Sequence, residues 1–175
     1  FPFFANHTIN TIVRIFQVQS DGTKDYKIAI LPIPSVLDRI IEVPTPSNKT
    51  HHFVYLEDVI NFYAIQFFQG YGIEESMTFR LTRDADLEIA EEDTKDLLTE
   101  VEASLRRRRR GDAVRLEVVG EGSPELLSTV LKSVELEKKD VYHIDGHLDC
   151  RMYFDFSNYP GYDYLRYKPF ESKTP

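Results

Sequence analysis

The sequence contains one cysteine, Cys150, so the chain cannot form an internal disulfide. A lone cysteine is typical of proteins in a reducing compartment, and we therefore predict a cytoplasmic location. Long hydrophobic runs are also missing, because the longest nearly apolar stretches, residues 28–33 and 62–68, fall far short of the roughly 20 residues of a membrane span. The net charge of −8 argues against a protein that binds polyanions over its entire surface. Any polyanion binding must be local.

The first third of the chain has the composition of β-strands. Residues 11–18 and 26–33 are rich in β-branched residues and flank the turn-forming Asp21 and Gly22, which predicts a β-hairpin. Further short strands are predicted at residues 36–43 and 53–55, and later ones at residues 77–82 and 113–119.

Three segments have helical signals. Apolar residues at helical spacing predict a helix over residues 57–69 that ends at Gly70, and a second from about residue 91. Ser123 followed by Pro124 is a strong N-terminal signal for a third. The chain is therefore predicted to be α+β, with a mixed, largely antiparallel sheet and about three helices packed on it.

The last part of the chain differs in kind from the rest. Eight aromatic residues lie between residues 153 and 170 with neither the alternation of a strand nor the stripe of a helix. We predict an irregular tail that packs against a neighbouring domain or subunit, because clustered apolar side chains usually mark contact surfaces.

Residues 79–86, with the sequence F-R-L-T-R-D-A-D, closely resemble the F-R-x-T-R-D-A-D signature in the head, or middle, domain of polyphosphate kinase. Residues 67–71, 106–118 and 140–146 are similar to three more stretches of that family, in the same order and with similar spacing. The likeness covers nearly the whole chain, from residue 2 to about residue 169.

This resemblance implies that residues 1–150 form the head domain and that residues 151–175 are a linker toward catalytic domains. The parent enzyme would transfer the terminal phosphate of ATP to polyphosphate through a phosphohistidine, with Mg²⁺. None of that chemistry is found in this sequence, so we expect a non-catalytic assembly domain that is inactive alone and holds no cofactor. The lack of an initiator Met suits a fragment. Expected partners are other domains and subunits of a homo-oligomeric enzyme, and polyphosphate, rather than nucleic acid.

Candidate polyphosphate contacts form one arginine run: Arg106, Arg107, Arg108, Arg109 and Arg110. Guanidinium groups match phosphate oxygens bidentately. The alternative is a solvated helix end, because the predicted second helix is acidic at its start and basic at its end and so complements its own dipole.

The signature segment holds four more candidates: Arg80, Arg83, Asp84 and Asp86. We interpret these as paired structural charges rather than catalytic groups, with Arg83 beside a carboxylate.

Two histidines, His143 and His147, leave open the alternative of a free-standing phosphohistidine or phosphoester enzyme, or of a divalent-ion site. Against these, residues 141–144 have the pattern of a strand that ends in a turn at Asp145 and Gly146, and we predict no metal site. The sequence also lacks a P-loop and an assigned base for Cys150. An RNA-binding module is disfavoured by the acidic total.

Overall fold

The computed structural model describes residues 2–46, 50–84, 111–168 and 170. Seven strands lie in these ranges: β1 (Ile9–Val18), β2 (Lys24–Pro32), β3 (Ile40–Val43), β4 (His52–Tyr55), β5 (Gly72–Arg83), β6 (Ala113–Val119) and β7 (Val141–Ile144). The α-helices there are α1 (Leu56–Phe62), α2 (Pro124–Val134) and α3 (Met152–Phe156). Short 3-10 helices span Ala64–Phe67, Lys138–Asp140 and Asp163–Leu165.

Five strands form one sheet in the order β2-β1-β5-β6-β7, and β3 pairs with β4 in a separate hairpin. The pairs within the large sheet are antiparallel except β6 with β7, which run parallel. The β1–β2 turn forms because the Asp21 carboxylate accepts from the backbone N–H of Thr23 at 2.9 Å while Gly22 supplies φ 85°. The predicted mixed, largely antiparallel sheet of an α+β fold is confirmed.

One sheet face is covered by α2. Ser123 caps this helix by accepting from the Leu126 N–H at 3.2 Å, as predicted. Leu126 and Val130 pack with Phe79 and Val118 of the central strands, and these four side chains are at most 1% exposed. Fully burying one such apolar side chain contributes about 1.5–3 kcal/mol, so this face is the main core.

The opposite face supports a second, smaller core. Ile9, Leu56 and Leu148 are buried there, and Ile41 and Ile60 pack against them. These residues bring together β1, β3, α1 and the segment after β7. The same face also carries the charged side chains of Arg80 and Glu117, which are paired residues on neighbouring strands.

Several elements differ from the sequence predictions. The strand predicted over residues 77–82 begins five residues earlier, at Gly72, and the tail predicted to be irregular contains α3. The helix predicted over residues 57–69 is α1 followed by a 3-10 helix from Ala64, because Ala64 is buried while Phe67, which a continued apolar stripe would bury, is 63% exposed. The strand predicted over residues 36–43 begins only at Ile40, with a turn before it in which Val36 is 89% exposed. The helix predicted from residue 91 lies outside the described residues.

Candidate functional site

Arg80 of the signature segment is the centre of a polar network on the second sheet face. Its Nη1 donates to Oε2 of Glu117 on β6 at 3.0 Å, and Nη2 lies 3.8 Å from Oδ2 of Asp149. The three side chains are only 13–14% exposed. Nε also donates to the backbone carbonyl of His7 at 3.4 Å. Arg80 therefore ties two strands to the N-terminal segment and to the segment after β7.

Asp149 receives a second guanidinium from the tail. Arg151 donates to its two carboxylate oxygens at 2.7 and 2.6 Å. The hydrogen bonds from Arg151, with the charge of Arg80, lower the pKa of Asp149 to about 2 despite burial. Burial, followed by the charges of Arg80 and Arg151, lowers the pKa of His7. Together these contacts keep Asp149 ionised and favour a neutral His7.

Two residues that contact Arg80 have left-handed backbones, His7 with φ 61° and Asp149 with φ 56°. Non-glycine residues adopt this region rarely, although His and Asp are among those that tolerate it best. Such strain persists only where surrounding contacts hold it. The Arg80 network is one such set of contacts.

A second ion pair continues the network toward α1. The guanidinium of Arg39 contacts the Glu57 carboxylate, with Nε to Oε2 at 3.3 Å, and also donates to the backbone carbonyl of Asp149 at 2.9 Å. Glu57 is only 5% exposed. His147 lies 3.5 Å from Oε1 of Glu57 and stacks on the Tyr55 ring. A buried carboxylate needs such partners, so Arg39 and His147 explain its burial.

Arg80 and its carboxylate partners line an open cleft of about 560 Å³ between β5, β6 and the segment after β7. Its lining includes Arg80 and Arg151, but Glu117 and Asp149 lie beside them. Because each guanidinium already faces a carboxylate, the cleft has no excess positive charge that would attract a phosphate group. Each of these guanidinium groups is thus engaged by side chains of the protein itself.

Arg83 is anchored mainly by backbone. Its Nε donates to the carbonyl of Phe4 and its Nη1 to the carbonyl of Gly111, both at 2.8 Å. The guanidinium also lies 4.4 Å from the centre of the Phe3 ring. Burial lowers the pKa of Arg83, and the nearby Asp112 carboxylate raises it. The Asp84 N–H donates to the carbonyl of Asp112 at 2.8 Å.

The other sequence candidates are dispersed. Asp86 and the arginine run, residues 106–110, lie outside the described residues. His143 is on the β7 edge with Nδ1 2.9 Å from the Gly120 carbonyl, whereas His147 belongs to the Glu57 pair, and Cys150 is exposed. Within the described ranges, no set of three or more His, Cys, Asp or Glu side chains is arranged to hold a metal ion. The described helices also include none long and apolar enough to cross a membrane.

The first half of the aromatic tail packs on the β3–β4 hairpin. Phe53 of β4 contacts Phe156 and Tyr159 edge-on, with ring centres 4.9 and 5.2 Å apart. Tyr55 and Tyr153 share a hydroxyl–hydroxyl bond of 2.9 Å, which raises the pKa of Tyr55 to about 12 together with burial. Edge-to-face pairs of this kind each contribute about 0.5–1.5 kcal/mol beyond their buried area.

A polar cluster fixes the same contact. Nδ1 of His51 lies 2.7 Å from Oε1 of Glu42 and 2.7 Å from the Tyr159 hydroxyl. Hydrogen bonds from His51 and then Tyr159 lower the pKa of Glu42, while burial and the hydrogen bond to Glu42 raise the pKa of Tyr159 to about 12. These rings line a mostly apolar cleft of about 390 Å³.

The second half of the tail is exposed. Tyr164 is 76% exposed, Leu165 70%, Tyr167 100% and Phe170 93%, and Phe154 of α3 is 77% exposed. The hairpin therefore covers only part of the apolar surface of the tail. We call the exposed segment from Tyr164 to Phe170 the outer tail.

Sequence reasoning missed Arg39, Glu57 and Phe53 as parts of these sites. Glu57 carried one signal, because it lies next to Leu56 at the start of an apolar stripe and a carboxylate there needs a cationic partner if it is buried. The partner, 18 residues earlier, could not be deduced from spacing.

The fold and its side chains define a mixed-sheet α+β domain whose charged residues on one face pair with one another and whose C-terminal segment displays apolar rings. Residues 1–156 match the family model described as the polyphosphate kinase middle domain. The chain is 40% identical over 159 residues to polyphosphate kinase from Halalkalibacterium halodurans and 36% identical over 179 residues to that from Bacillus cereus. This chain belongs to the polyphosphate kinase family, as its middle domain.

The match extends to structure and is limited in length. A solved polyphosphate kinase from Porphyromonas gingivalis shares the fold, with a TM-score of 0.61 and 21% identity over 84% of this chain and 19% of that one. The two relatives named above are covered for 22% and 25% of their own lengths, against 90% and 100% of this chain. The chain thus spans about a quarter of the length of these curated relatives.

Proposed function

We propose that this chain is a non-catalytic interaction domain of a polyphosphate kinase, with the outer tail as a contact surface for the rest of the enzyme. The complete enzyme would use ATP and Mg²⁺ to extend polyphosphate through a phosphohistidine carried elsewhere, in the cytoplasm, as a homo-oligomer. Residues 1–150 would form the domain, and residues 151–175 would connect it to the catalytic part.

The exposed rings of the outer tail carry this proposal. Tyr164, Tyr167 and Phe170 are each at least 76% exposed and lie within seven residues of one another. Monomeric proteins rarely expose contiguous apolar patches unless a partner covers them. Tyrosine-rich composition is typical of interface cores that are partly wet. The hairpin contacts of Phe156 and Tyr159 hold the base of the tail and so limit the directions in which the outer tail can extend.

The internal pairing of the Arg80 network supports the non-catalytic part of the proposal. Arg80, Arg151 and Arg39 are each engaged with carboxylates. Catalysis of phosphoryl transfer depends on cationic groups aimed at the transferring phosphate. The described arginines are aimed instead at the protein's own side chains. Polyphosphate contact is assigned by this proposal to the run Arg106–Arg110.

Hydrogen exchange tests the contact surface. We would compare the isolated chain with the full-length enzyme that contains it. Amides of Tyr167 and Lys168, which follow the 3-10 helix Asp163–Leu165, should exchange rapidly in the isolated chain and slow down in the full-length enzyme, because a partner surface excludes water there. The amides of Phe156 and Tyr159 should be protected in both. Rapid exchange of Tyr167 and Lys168 in both proteins would refute the assignment.

A matched pair of variants separates contact from general hydrophobicity. In the full-length enzyme, Tyr167→Ser should restore rapid exchange in the outer tail. Val36→Ser is the control, because Val36 is 89% exposed and lies in a turn apart from the tail.

In a parallel assay, the isolated chain with ATP and Mg²⁺ should make no polyphosphate. Synthesis that is lost in a His143→Ala or His147→Ala variant would support the alternative of a free-standing phosphohistidine enzyme, which no contact in the described residues favours.

A further inference from the structure

Strand β2 is an edge of the five-stranded sheet, and within the described residues no strand pairs with its outer side. It is nine residues long and pairs continuously with β1 without a register shift. A strand edge of this length presents a row of backbone donors and acceptors that another extended chain can pair with.

The direction of each backbone group on β2 follows from the pairing. The N–H of Ile33, just after the strand, donates to the carbonyl of Ile9 at 2.9 Å, so Ile33 faces β1. Because successive N–H groups in a strand point to opposite sides, those of Ala29 and Lys27 also face β1. The N–H groups of Tyr26, Ile28 and Ile30 therefore point to the open edge.

The side chains beside these donors form one wall of a groove. Ile28 lies opposite Arg14 of β1 on the face covered by α2, and Tyr26 and Ile28 are 39% and 40% exposed. The first turns of α2 form the other wall with Glu125, Leu126 and Thr129, and the groove has a volume of about 290 Å³. A strand added to β2 would thus place alternate side chains between the sheet edge and the helix.

The charges around the groove select the type of side chain that fits. Arg14 lies within 3.5 Å of Glu74 and Glu75 and also pairs with Glu125. Lys24 adds one positive charge, at 3.5 Å from Glu74. Lys27, the other cation that lines the groove, lies 3.9 Å from Asp25. Four carboxylates, Asp25, Glu74, Glu75 and Glu125, therefore face three cations, and the side chain of Glu125 is 72% exposed. One negative charge is left over for an incoming cation.

We propose that the groove between β2 and α2 binds an extended protein segment as a sixth strand of the sheet, with a basic side chain facing Glu125 and apolar side chains on either side of it. The backbone of the segment pairs with Tyr26, Ile28 and Ile30. This site lies on the sheet face opposite the Arg80 network, and it does not depend on the role assigned to the tail.

The test uses the chain itself and a blocked peptide of sequence Thr-Val-Thr-Lys-Thr-Val-Thr, which presents valine, lysine and valine on one face. Amide exchange followed by NMR should slow by about fivefold at Tyr26, Ile28 and Ile30 when the peptide occupies about four-fifths of the sites, because only the free fraction exchanges. The amides of Lys27 and Ala29, already bonded to β1, should not change.

Three controls isolate the parts of the proposal. A peptide with the same sequence but N-methyl groups on its pairing edge should give no slowing. A peptide with glutamate in place of lysine should bind at least fivefold more weakly, and Glu125→Gln should reduce this difference. The Ile28→Pro variant should fold, because the proline nitrogen faces the open edge, and should not bind; Ala29→Pro, which removes a ladder donor, should be strongly destabilised.

Several results would overturn the proposal. These are unchanged exchange at the three edge amides, equal slowing by the N-methylated peptide, or equal binding of the glutamate peptide. The same amides could also become protected when the protein concentration is raised without any peptide. That result would identify a second copy of the chain as the occupant of the groove, and it would refute the proposal of a basic segment. If Ile28→Pro fails to fold, the N-methylated peptide still decides the question on the unchanged protein.

Discussion

Replacing Arg80 by methionine should destabilise the domain strongly at neutral pH. Methionine keeps much of the side-chain volume but leaves Glu117 and Asp149, which are 13% and 14% exposed, without their shared cation. Removing one partner of a buried ion pair costs about 3–5 kcal/mol. We expect the lower end, about 3 kcal/mol, because Arg115 remains 3.0 Å from Glu117 and Arg151 remains 2.6 Å from Asp149.

This loss corresponds to a decrease in Tm of about 6–12 °C for a domain of this size. Urea unfolding followed by circular dichroism at pH 7 would measure the free energy of unfolding. The variant Glu117→Gln and the double variant complete a mutant cycle, in which the coupling energy should exceed about 1 kcal/mol. Arg166→Met is the matched control, since the side chains of Arg166 and its partner Asp163 are 40% and 78% exposed, and it should cost less than about 1 kcal/mol.

A result within about 0.5 kcal/mol of the unaltered chain for Arg80→Met would refute the reasoning. In that case the ion pairs of Arg80 would not stabilise the domain, and Glu117 and Asp149 could stay in place without their cation at little cost in free energy. A large loss for Arg80→Met that simply adds to the loss for Glu117→Gln in the double variant would show instead that Arg80 acts through packing rather than through this pair.

Two further predictions concern charge. The folded-state pKa of Asp149, about 2, lies below its ordinary value, so its contribution to stability is present above about pH 4 and is lost as the pH falls toward 2. Asparagine also tolerates the left-handed backbone, so Asp149→Asn should cost only about 1–2 kcal/mol at pH 7, after allowance for the exposed Arg151. Between pH 4 and 2, the free energy of unfolding of this variant should fall less than that of the unaltered chain. An equal fall in the two proteins would contradict the prediction. The other prediction is that the arginine run gives weak, salt-sensitive polyphosphate binding, measured by filter retention. Binding should be lost, with Tm unchanged, when its three central residues become alanine: Arg107, Arg108 and Arg109. Retained binding, or a large drop in Tm, would contradict it.

Elements with strong local signals were predicted well from the sequence. The clean alternation of residues 113–119 gave the bounds of β6, and Ser123 with Pro124 gave the start of α2. Both signals lie within a few residues of the element that they specify. The same holds for the β1–β2 turn, where Asp21 and Gly22 act locally.

The prediction of one long helix after Leu56 was wrong because periodicity does not reveal where the surface available for packing ends. Leu56 and Ile60 lie in the second core, but Phe62 and Phe67 are 77% and 63% exposed. A helical stripe is stabilised only over the length that it buries. Beyond Tyr63 the chain turns instead into a 3-10 helix that buries Ala64.

The candidate sites were less predictable, because their contacts join distant parts of the chain. Arg39 and Asp149 are 110 residues apart, and Tyr55 and Tyr153 are 98 apart. The tail was predicted to be irregular and to pack against a neighbouring domain or subunit, but its first rings follow or lie in α3 and pack on β4 of the same chain. No local pattern in residues 153–170 distinguishes rings that pack internally from rings that remain exposed.

The pairing of the arginines limits where a polyanion can bind. Each arginine in the described ranges already has a carboxylate or carbonyl partner: Arg14, Arg39, Arg80, Arg83, Arg115, Arg151 and Arg166. A phosphate that recruited one of the buried arginines, such as Arg80, would have to leave a carboxylate unpaired, at a cost of several kcal/mol. The exposed pairs cost less to break but attract less, because solvent screens them. Polyphosphate binding of the kind proposed above would therefore need cations outside these pairs, and the arginine run is the segment of the sequence that supplies the most of them.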